Sequence, residues 1–426
     1  MSVAELAPWL EQSRWPTVPI RYVAKLGTGH TPSRQHPEYW EDCTLPWITL
    51  ADVWQFRDGT RDTIAETKEK ISRLGLANSA AVLHPAGTVI LSRTASVGFS
   101  AIMGRNMATS QDFATWTCGP ELEARYLLHA LRAMAPDLRR VAAGSTHKTI
   151  YMPDIEQLRI PLPPVEEQRR IADFLDVETT RIARMEMLQR HVLDKLNERD
   201  RAILDLELDR LGGCSGVKPL RRSIRRIEQG SSPQCDNTPA EMHEWGVLKV
   251  SSVKHGRFWP EENKRLPNAV APERRYEVRP GDLLITRANT PLLVGAAAVV
   301  PEVREKLLLC DKIFRIELIS GLDPHFVALA SRGTKIRDLC AAASHGTSLS
   351  MANLKTEEIK EWPIPNVDLT EQRLGIKRVT EQQAVTGALR ASINRQLELL
   401  AERRQALITA VVTGQIDVTT ARGVAG

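Results

Sequence analysis

Two stretches of this chain about 200 residues apart carry the same succession of strand, turn and proline signals. Trp47–Val53 reads as a strand, and Val247–Val253 has the same form. Next comes a glycine-initiated strand closed by an arginine, Gly87–Arg93 in the first half and Gly281–Arg287 in the second. Each leads to a further glycine, Gly98 or Gly295. Gly144–Ile150 then lines up with Gly346–Ala352, and the alignment runs without a gap to the proline knots Pro161–Pro163 and Pro363–Pro365. Prolines there end a domain's last strand, because they cannot donate to a ladder and they bias the preceding residue to extended geometry. A chain that repeats itself in this way must fold as two similar mixed α/β domains.

After each knot a Glu-Gln-Arg triplet, Glu167–Arg169 or Glu371–Arg373, opens a long charged helix. Val165–Leu208 spans roughly 40 residues without an internal Gly or Pro, about 60 Å at the rise of an α-helix. A 3.5-residue spacing from Ile171 brings Leu175, Ile182, Met185, Val192, Leu196 and Ile203 onto one stripe, interrupted by Glu178, Gln189 and Arg199. That is a coiled-coil pattern with polar interruptions. The second helix carries Leu389, Ile393, Leu397, Leu400, Leu407 and Val411, and Gly414 suits its C-terminal cap. The expected fold is therefore α/β (mixed α+β), with two repeated domains separated by two long antiparallel coiled-coil helices about a pseudo-two-fold. The expected boundaries are a first domain at 1–162, a central helix at 163–210 and a linker at 211–216. A second domain follows at 217–365, then a C-terminal helix at 366–416 and a tail at 417–426.

Composition excludes several classes. The 426 residues suffice for two or three domains. No apolar run approaches the ~20 residues a membrane span needs, and the N-terminus has acids where a signal peptide has a basic region. The six cysteines are scattered without a C-x-x-C pair, which predicts reduced thiols in a cytoplasmic protein. The ten histidines show no metal-ligand spacing. The net charge of +5 is modest, but it is unevenly placed: residues 1–162 are nearly neutral, whereas 217–365 carry an excess of about five positive charges.

Catalytic motifs are missing. An adenine methyltransferase acting alone needs a cofactor loop and an [DNS]-P-P-[YFW] tetrapeptide whose aromatic stacks on a flipped base. Here Pro163-Pro164 is followed by Val165, and Asp323-Pro324-His325-Phe326 lacks the second proline. Gly27-Thr28-Gly29 is followed by His30-Thr31-Pro32 and cannot open a phosphate-cradling helix. It reads as a turn, with Gly230–Pro233 its partner in the second half. Asp62, Glu66 and Lys68 have some letters of a nuclease centre but read as a solvated charge cluster. No ATP-binding phosphate loop is present. No catalytic or metal-binding residue is expected.

The architecture resembles the specificity subunit of type I restriction-modification systems. The features that carry the resemblance are the two domains, the proline knots with their Glu-Gln-Arg helices, and the C-terminal runs Glu402–Ile408 and Ala410–Asp417. The first helix, ending in Ala202–Leu206, departs from that terminal pattern. The resemblance covers nearly the whole chain. It implies a non-catalytic, sequence-specific reader of double-stranded DNA, with each target recognition domain reading one half of a split site. It implies helices that fix the gap and dock two methyltransferase subunits, to which two restriction (translocase-nuclease) subunits can be added. S-adenosylmethionine, and ATP and Mg²⁺ with a nuclease, would be held by those partners. A fused or orphan DNA methyltransferase and a structural coiled-coil bridge are the alternatives.

DNA reading needs basic or amide side chains on loops, because base edges need hydrogen-bond partners and phosphates need cations. The candidates are Arg57 and Arg61 after the first strand, and Lys254, His255 and Arg257 after its counterpart. Arg93 and Arg287 end equivalent strands. Ser145, Thr146, His147 and Lys148 lie in one glycine-led loop, matched by His345, Thr347 and Ser348. Arg221, Arg222, Arg225 and Arg226 fall at helical spacing and suit phosphates. Trp40, Trp47, Trp54, Trp116, Trp245, Trp259 and Trp362 are expected in the core.

Overall fold

The glycine-led apolar run of each half becomes a central strand buried at every position, Val89–Ser92 in the first and Leu283–Thr286 in the second. The structure is a computed structural model and describes residues 7–142, 148–343, 345–348 and 351–418. It divides into two units, Met1–Arg190 with Asn394–Gly426, and His191–Ile393.

In chain order the first unit contains β1 (Thr17–Pro19), β2 (Ala24–Thr28), β3 (Leu45–Ile48), β4 (Thr63–Ile64), β5 (Glu69–Ile71), β6 (Val89–Ser92), β7 (Ser100–Met103), β8 (Ala108–Thr109), β9 (Phe113–Cys118) and β10 (Arg159–Pro161). Helices α1 (Arg73–Ala77), α2 (Ala124–Val141) and α3 (Met152–Glu156) precede the long α4 (Val165–Ser215). The strands form sheets of order β2-β9-β6-β7-β4 and β5-β3-β8, with β1 paired to β10. Helix α2 covers the larger sheet, placing Tyr126, Leu127 and Leu131 in one core with Trp116, with Ile171 and Leu175 of α4, and with Ile408 and Val411.

The second unit contains β11 (Val217–Pro219), β12 (Ile224–Gln229), β13 (Gly246–Leu248), β14 (Val253–Lys254), β15 (Arg257–Phe258), β16 (Asn263–Arg265), β17 (Leu283–Thr286), β18 (Ala288–Asn289), β19 (Ala297–Val299), β20 (Leu307–Leu308), β21 (Ile313–Leu318), β22 (His345–Ser348), β23 (Met351–Asn353) and β24 (Pro363–Pro365). Its helices are α5 (Pro324–Ala330), α6 (Thr334–Ala343) and α7 (Thr356–Lys360), followed by the long α8 (Leu369–Val412). The order β12-β21-β17-β19 repeats that of β2-β9-β6-β7. Likewise β13 lies between antiparallel β16 and parallel β20, as β3 lies between antiparallel β5 and parallel β8.

The fold is the expected mixed α+β one, with four local corrections. Each first strand is short and gives way to a 3-10 turn, Leu50–Gln55 or Val250–Ser252. In the first unit a Thr49/Asp52 capping box starts the turn and so stops the strand. The proline knots are offset by two from the sequence alignment, because Thr17 pairs with Pro161 and Val217 with Pro365. From Ile150 and Leu354, which donate to the carbonyls of Arg93 and Arg287, to the helices, the repeat spacing is 204. Residues 211–215, expected as a linker, continue α4, and Gly216 at φ 72° ends it. Arg221 and Arg222 lie on a 3-10 turn and Arg225 and Arg226 on β12, so these four do not form a helix. Trp47, Trp116 and Trp362 are buried as expected and Trp40 and Trp245 half-buried, but Trp54 and Trp259 are exposed.

Within each unit the two long helices run antiparallel. Glu186 pairs with Arg404 at 3.0 Å and Gln189 with Gln396 at 2.8 Å in the first. Asp200 pairs with Arg390 at 2.6 Å and Glu207 with Arg378 at 3.2 Å in the second. Residues 186 and 390, and 200 and 404, are equivalent at the 204 spacing, so equivalent positions carry opposite charges: both acids lie on α4 and both bases on α8. The buried positions of α4 include Ile171, Leu175, Ile182, Leu196, Leu204 and Leu211, whereas Val192 is 41% exposed. The strict 3.5-residue stripe fails there because a straight helix drifts about 20° per heptad, so Ile182 is followed on one face by Leu204 rather than Ile203.

The middle residue of each Glu-Gln-Arg triplet fastens helix to domain. Gln168 is fully buried; its Oε1 accepts from the Glu123 amide, and its Nε2 donates to the carbonyls of Glu121 and Pro163. Gln372 repeats the arrangement with Asp323, Gly321 and Val367. Truncating either to alanine strands three main-chain groups, each costing about 1–3 kcal/mol when buried and unpaired. Gln168→Ala and Gln372→Ala should each lower unfolding stability by about 2–4 kcal/mol, read by denaturant titration; the Glu167→Ala change beside them should cost under about 1 kcal/mol. Glu186→Arg should destabilise, and adding Arg404→Glu should recover most of the loss in a double-mutant cycle.

Candidate nucleic-acid interface

Four loops of the first unit converge where β2, β6 and β9 meet their connections. Gly29 follows β2 so closely on Thr109 that an added Cβ would lie 1.8 Å from the Thr109 carbonyl oxygen. Gly230 stands in the same relation to Leu309, at 1.9 Å. Only glycine permits this approach, so the expected turn is a crossing of two backbones. Beyond it, Thr31 donates to Gln111 at 2.7 Å. Arg93 donates from Nε to the Gln111 carbonyl at 2.9 Å and from Nη1 to the Ile150 carbonyl at 3.3 Å. The Lys148 carbonyl accepts from Ala95, and Lys148 itself is exposed. Arg93 therefore ties three loops together, with Gln111, Lys148 and Thr31 at its side.

The second unit builds the counterpart. Ser232 meets Asp311, while the Arg287 amide donates to the Lys312 carbonyl and Leu354 donates to the Arg287 carbonyl. The segment Ala288–Asn289 pairs with Met351–Asn353 and that with His345–Ser348. His345, Thr347 and Ser348 thus fall on β22 beside the Arg287 turn, although their side chains lie outside the described residues. Ser145, Thr146 and His147 lie outside the described residues altogether.

The other candidates sit around these clusters. Arg57 stacks on Phe99 at 5.6 Å, and the Arg61 carbonyl accepts from Arg132. Lys254 lies 5.4 Å from the Trp259 ring, and Arg257 is exposed on the same β14–β15 hairpin. His255 donates from Nε2 to the Leu292 carbonyl at 3.1 Å, and its buried Nδ1 has no partner. Arg221 is paired with Glu361, whereas Arg222 is exposed. Gln111, Asp311 and Lys312 were not singled out by sequence, although Ser110–Asp112 and Cys310–Lys312 precede equivalent strands 200 residues apart. Asp62 and Glu66 are engaged by Arg132 and Arg105, as a charge cluster would be, and they flank the two-residue strand β4.

Comparison with known proteins places this geometry. Residues 12–189 match the type I restriction modification DNA specificity domain. The type I restriction enzyme EcoEI specificity subunit of Escherichia coli is 35% identical over 143 residues, 33% of this chain and 24% of that one. The EcoKI specificity subunit of Escherichia coli strain K12 is 21% identical over 434 residues, covering 94% of this chain and 89% of that one. The first unit therefore matches that specificity domain, and the chain as a whole is similar to type I specificity subunits. A solved chain from a study of complex assembly and conformational transition of the type I R-M system superposes with a TM-score of 0.60 at 18% identity, covering 94% and 98% of the two chains. That likeness shows a shared fold that includes the second unit, beyond the matched domain. Among the described residues no helix is long and apolar enough to cross a membrane.

Two histidines of the domains titrate abnormally. Burial chiefly, and Lys25 further, push His84 below the usual imidazole range. For His255 burial again dominates; the Leu292 hydrogen bond opposes it, while Arg337 and Arg332 add to it. A depressed folded pKa means the unfolded chain takes up protons first, so stability is lost as pH falls below about 6.5. Unfolding free energy should decrease between pH 7 and 5, and His84→Asn with His255→Asn should flatten that decrease in denaturant titrations at each pH.

Proposed function

We propose that this chain is the non-catalytic, sequence-specific DNA-reading subunit of a cytoplasmic type I restriction-modification complex. The observation that carries the reading is the repeat of one strand order with one loop cluster in each unit, in a chain similar to type I specificity subunits. Each cluster would read one half of a bipartite duplex site. Arg93 and Arg287, with Lys148, Gln111 and Lys312 beside them, would supply donors to bases and phosphates, and Arg57, Arg61, Lys254, Arg257 and Arg222 cations to the backbone. Because Arg93 spends two of its donors on carbonyls, its share is to hold the reading loops in place and to present its remaining nitrogen.

The long helices α4 and α8 would fix the gap between half-sites and dock two methyltransferase subunits, with two restriction subunits joining in the nuclease form. S-adenosylmethionine, ATP and Mg²⁺ would belong to those partners, the chain itself holding no cofactor.

Replacing residues 217–362 by the matching domain of a relative should change one half of the methylated motif and leave the other intact, as read by mapping methylated adenines in cells that express the partner subunits. A change in both halves would sink independent reading. Arg287→Ala should cost about 1–3 kcal/mol of binding, and Arg93→Ala a comparable amount through disordered loops. In each case the loss should be confined to one half-site. The purified chain alone should transfer no methyl group and cut no duplex.

A further inference from the structure

A cavity of the second unit, about 710 Å³, opens between the hairpin bearing His255, helix α6 and the facing stretches of α4 and α8. Its walls hold four arginines, Arg201, Arg332, Arg337 and Arg390, against two carboxylates, Asp200 and Asp338. Asp200 is already engaged by Arg390 at 2.6 Å and Thr386 at 2.8 Å, and Asp338 lies exposed on α6.

Arg332 and Arg337 are different from Arg390. Arg332 donates to the neutral Gln383 amide oxygen at 2.9 Å, and Arg337 to the carbonyls of Val294 and Leu292 at 2.7 and 3.1 Å. Neither takes part in an ion pair among the described residues. The first unit treats the same position otherwise: Arg132, which precedes Ala133 as Arg332 precedes Gly333, is neutralised by Asp62 at 2.6 Å. Burial holds both second-unit guanidinium groups below the usual arginine range; at Arg332 the nearby Asp200 carboxylate opposes the effect and Arg257 adds to it. Beside them the buried Nδ1 of His255 has no partner; with Nε2 donating to Leu292 it is the ring's acceptor nitrogen, and it becomes a donor to an anion only when the ring takes up a proton. Asp200 acts on Arg332 only from beyond ion-pair distance and is itself committed to Arg390; desolvated cations without an ion-pair partner are costly, and guanidinium groups in such a place match the geometry of a phosphate.

We propose that this cavity is an anion site that takes a phosphate group, held by Arg332 and Arg337 with His255 at its edge. The phosphate is either that of a free anion or a phosphodiester of the DNA backbone; only the second source rests on the DNA-reading role proposed above. It would be reached past the Lys254–Arg257 hairpin, because an added Cβ at Gly256 would lie 3.6 Å from the Arg332 side chain.

The test uses the full chain and inorganic pyrophosphate, followed by calorimetry, with a non-specific duplex titrated over a salt series in parallel. The wild-type chain should bind pyrophosphate, Arg332→Gln should weaken it at least ten-fold, and Arg332→Lys should retain part of it. The charge-matched, exposed Arg190→Gln should leave it unchanged. If the source is DNA, Arg332→Gln should also reduce the salt slope of duplex binding by about one unit, the share of a single phosphate contact. Loss of pyrophosphate binding with an unchanged slope supports the site and assigns it to a free anion. A reduced slope without measurable pyrophosphate binding supports it and assigns it to the phosphodiester. Should Arg332→Gln melt early, Arg201→Gln at the exposed mouth replaces it, with a several-fold weakening expected. No pyrophosphate binding by the wild type, together with an unchanged slope or with no duplex binding at all, overturns the proposal, as does pyrophosphate binding that neither variant alters.

Discussion

A single buried amide at the root of each long helix holds this architecture together. Where α4 and α8 leave their domains, the chain must turn from a proline-ended strand into a helix, and that turn exposes main-chain groups in the interior. Gln168 and Gln372 each answer three of them, one by accepting and two by donating. No other side-chain type of that length offers an acceptor and two donors without a charge. The flanking glutamate and arginine of the triplets lie nearer the surface, where ion pairs contribute little. The direction in which each helix starts is thus fixed by hydrogen bonds to the domain it serves.

What the helices then do to each other is decided by polarity more than by apolar burial. Between Ile182 and Leu204 of α4 only Leu196 is fully buried among the apolar residues. The seam there is carried by Glu186, Gln189 and Asp200 with their partners on α8. Paired charges that are mostly shielded from water add little net stability over an apolar pair, but they penalise a wrong neighbour heavily. Both acids lie on α4 and both bases on α8, which gives that penalty a direction. A pairing of α4 with its own copy would oppose Glu186 to Asp200, and α8 with its own copy Arg390 to Arg404. Only the mixed pairing satisfies both sites, so the repeat is symmetrical in backbone and antisymmetrical in charge.

The same departure from strict symmetry marks the domains. Both use a glycine to let one backbone cross another, Gly29 over Thr109 and Gly230 over Leu309, and both gather an arginine-closed strand and its neighbouring loops at that crossing. Yet the first unit neutralises Arg132 with Asp62, while the second leaves Arg332 facing a cavity. The excess positive charge of residues 217–365 therefore has a location as well as a size. A repeated scaffold with unlike side chains on its edge can present two different surfaces of the same shape.

The sequence by itself determined the repeat, the mixed α+β class, the two long helices and the resemblance to type I specificity subunits. These follow from periodicity, from glycine and proline placement, and from local motifs, all of which act over a few neighbouring residues. It placed Arg93 and Arg287 at the ends of equivalent strands because the apolar runs before them are unmistakable. The tertiary structure alone decided register: β1 and β10 set the proline knots two residues away from the best sequence alignment, and helical drift moved the buried stripe from Ile203 to Leu204. It also decided which charges meet. Arg93 finds its partners at Gln111 and Ile150, and Arg332 and Arg337 share a cavity with His255, through separations of 18 to 82 residues that no local pattern encodes. Such pairings depend on how sheets and helices close in space, and a linear sequence specifies them only through that closure.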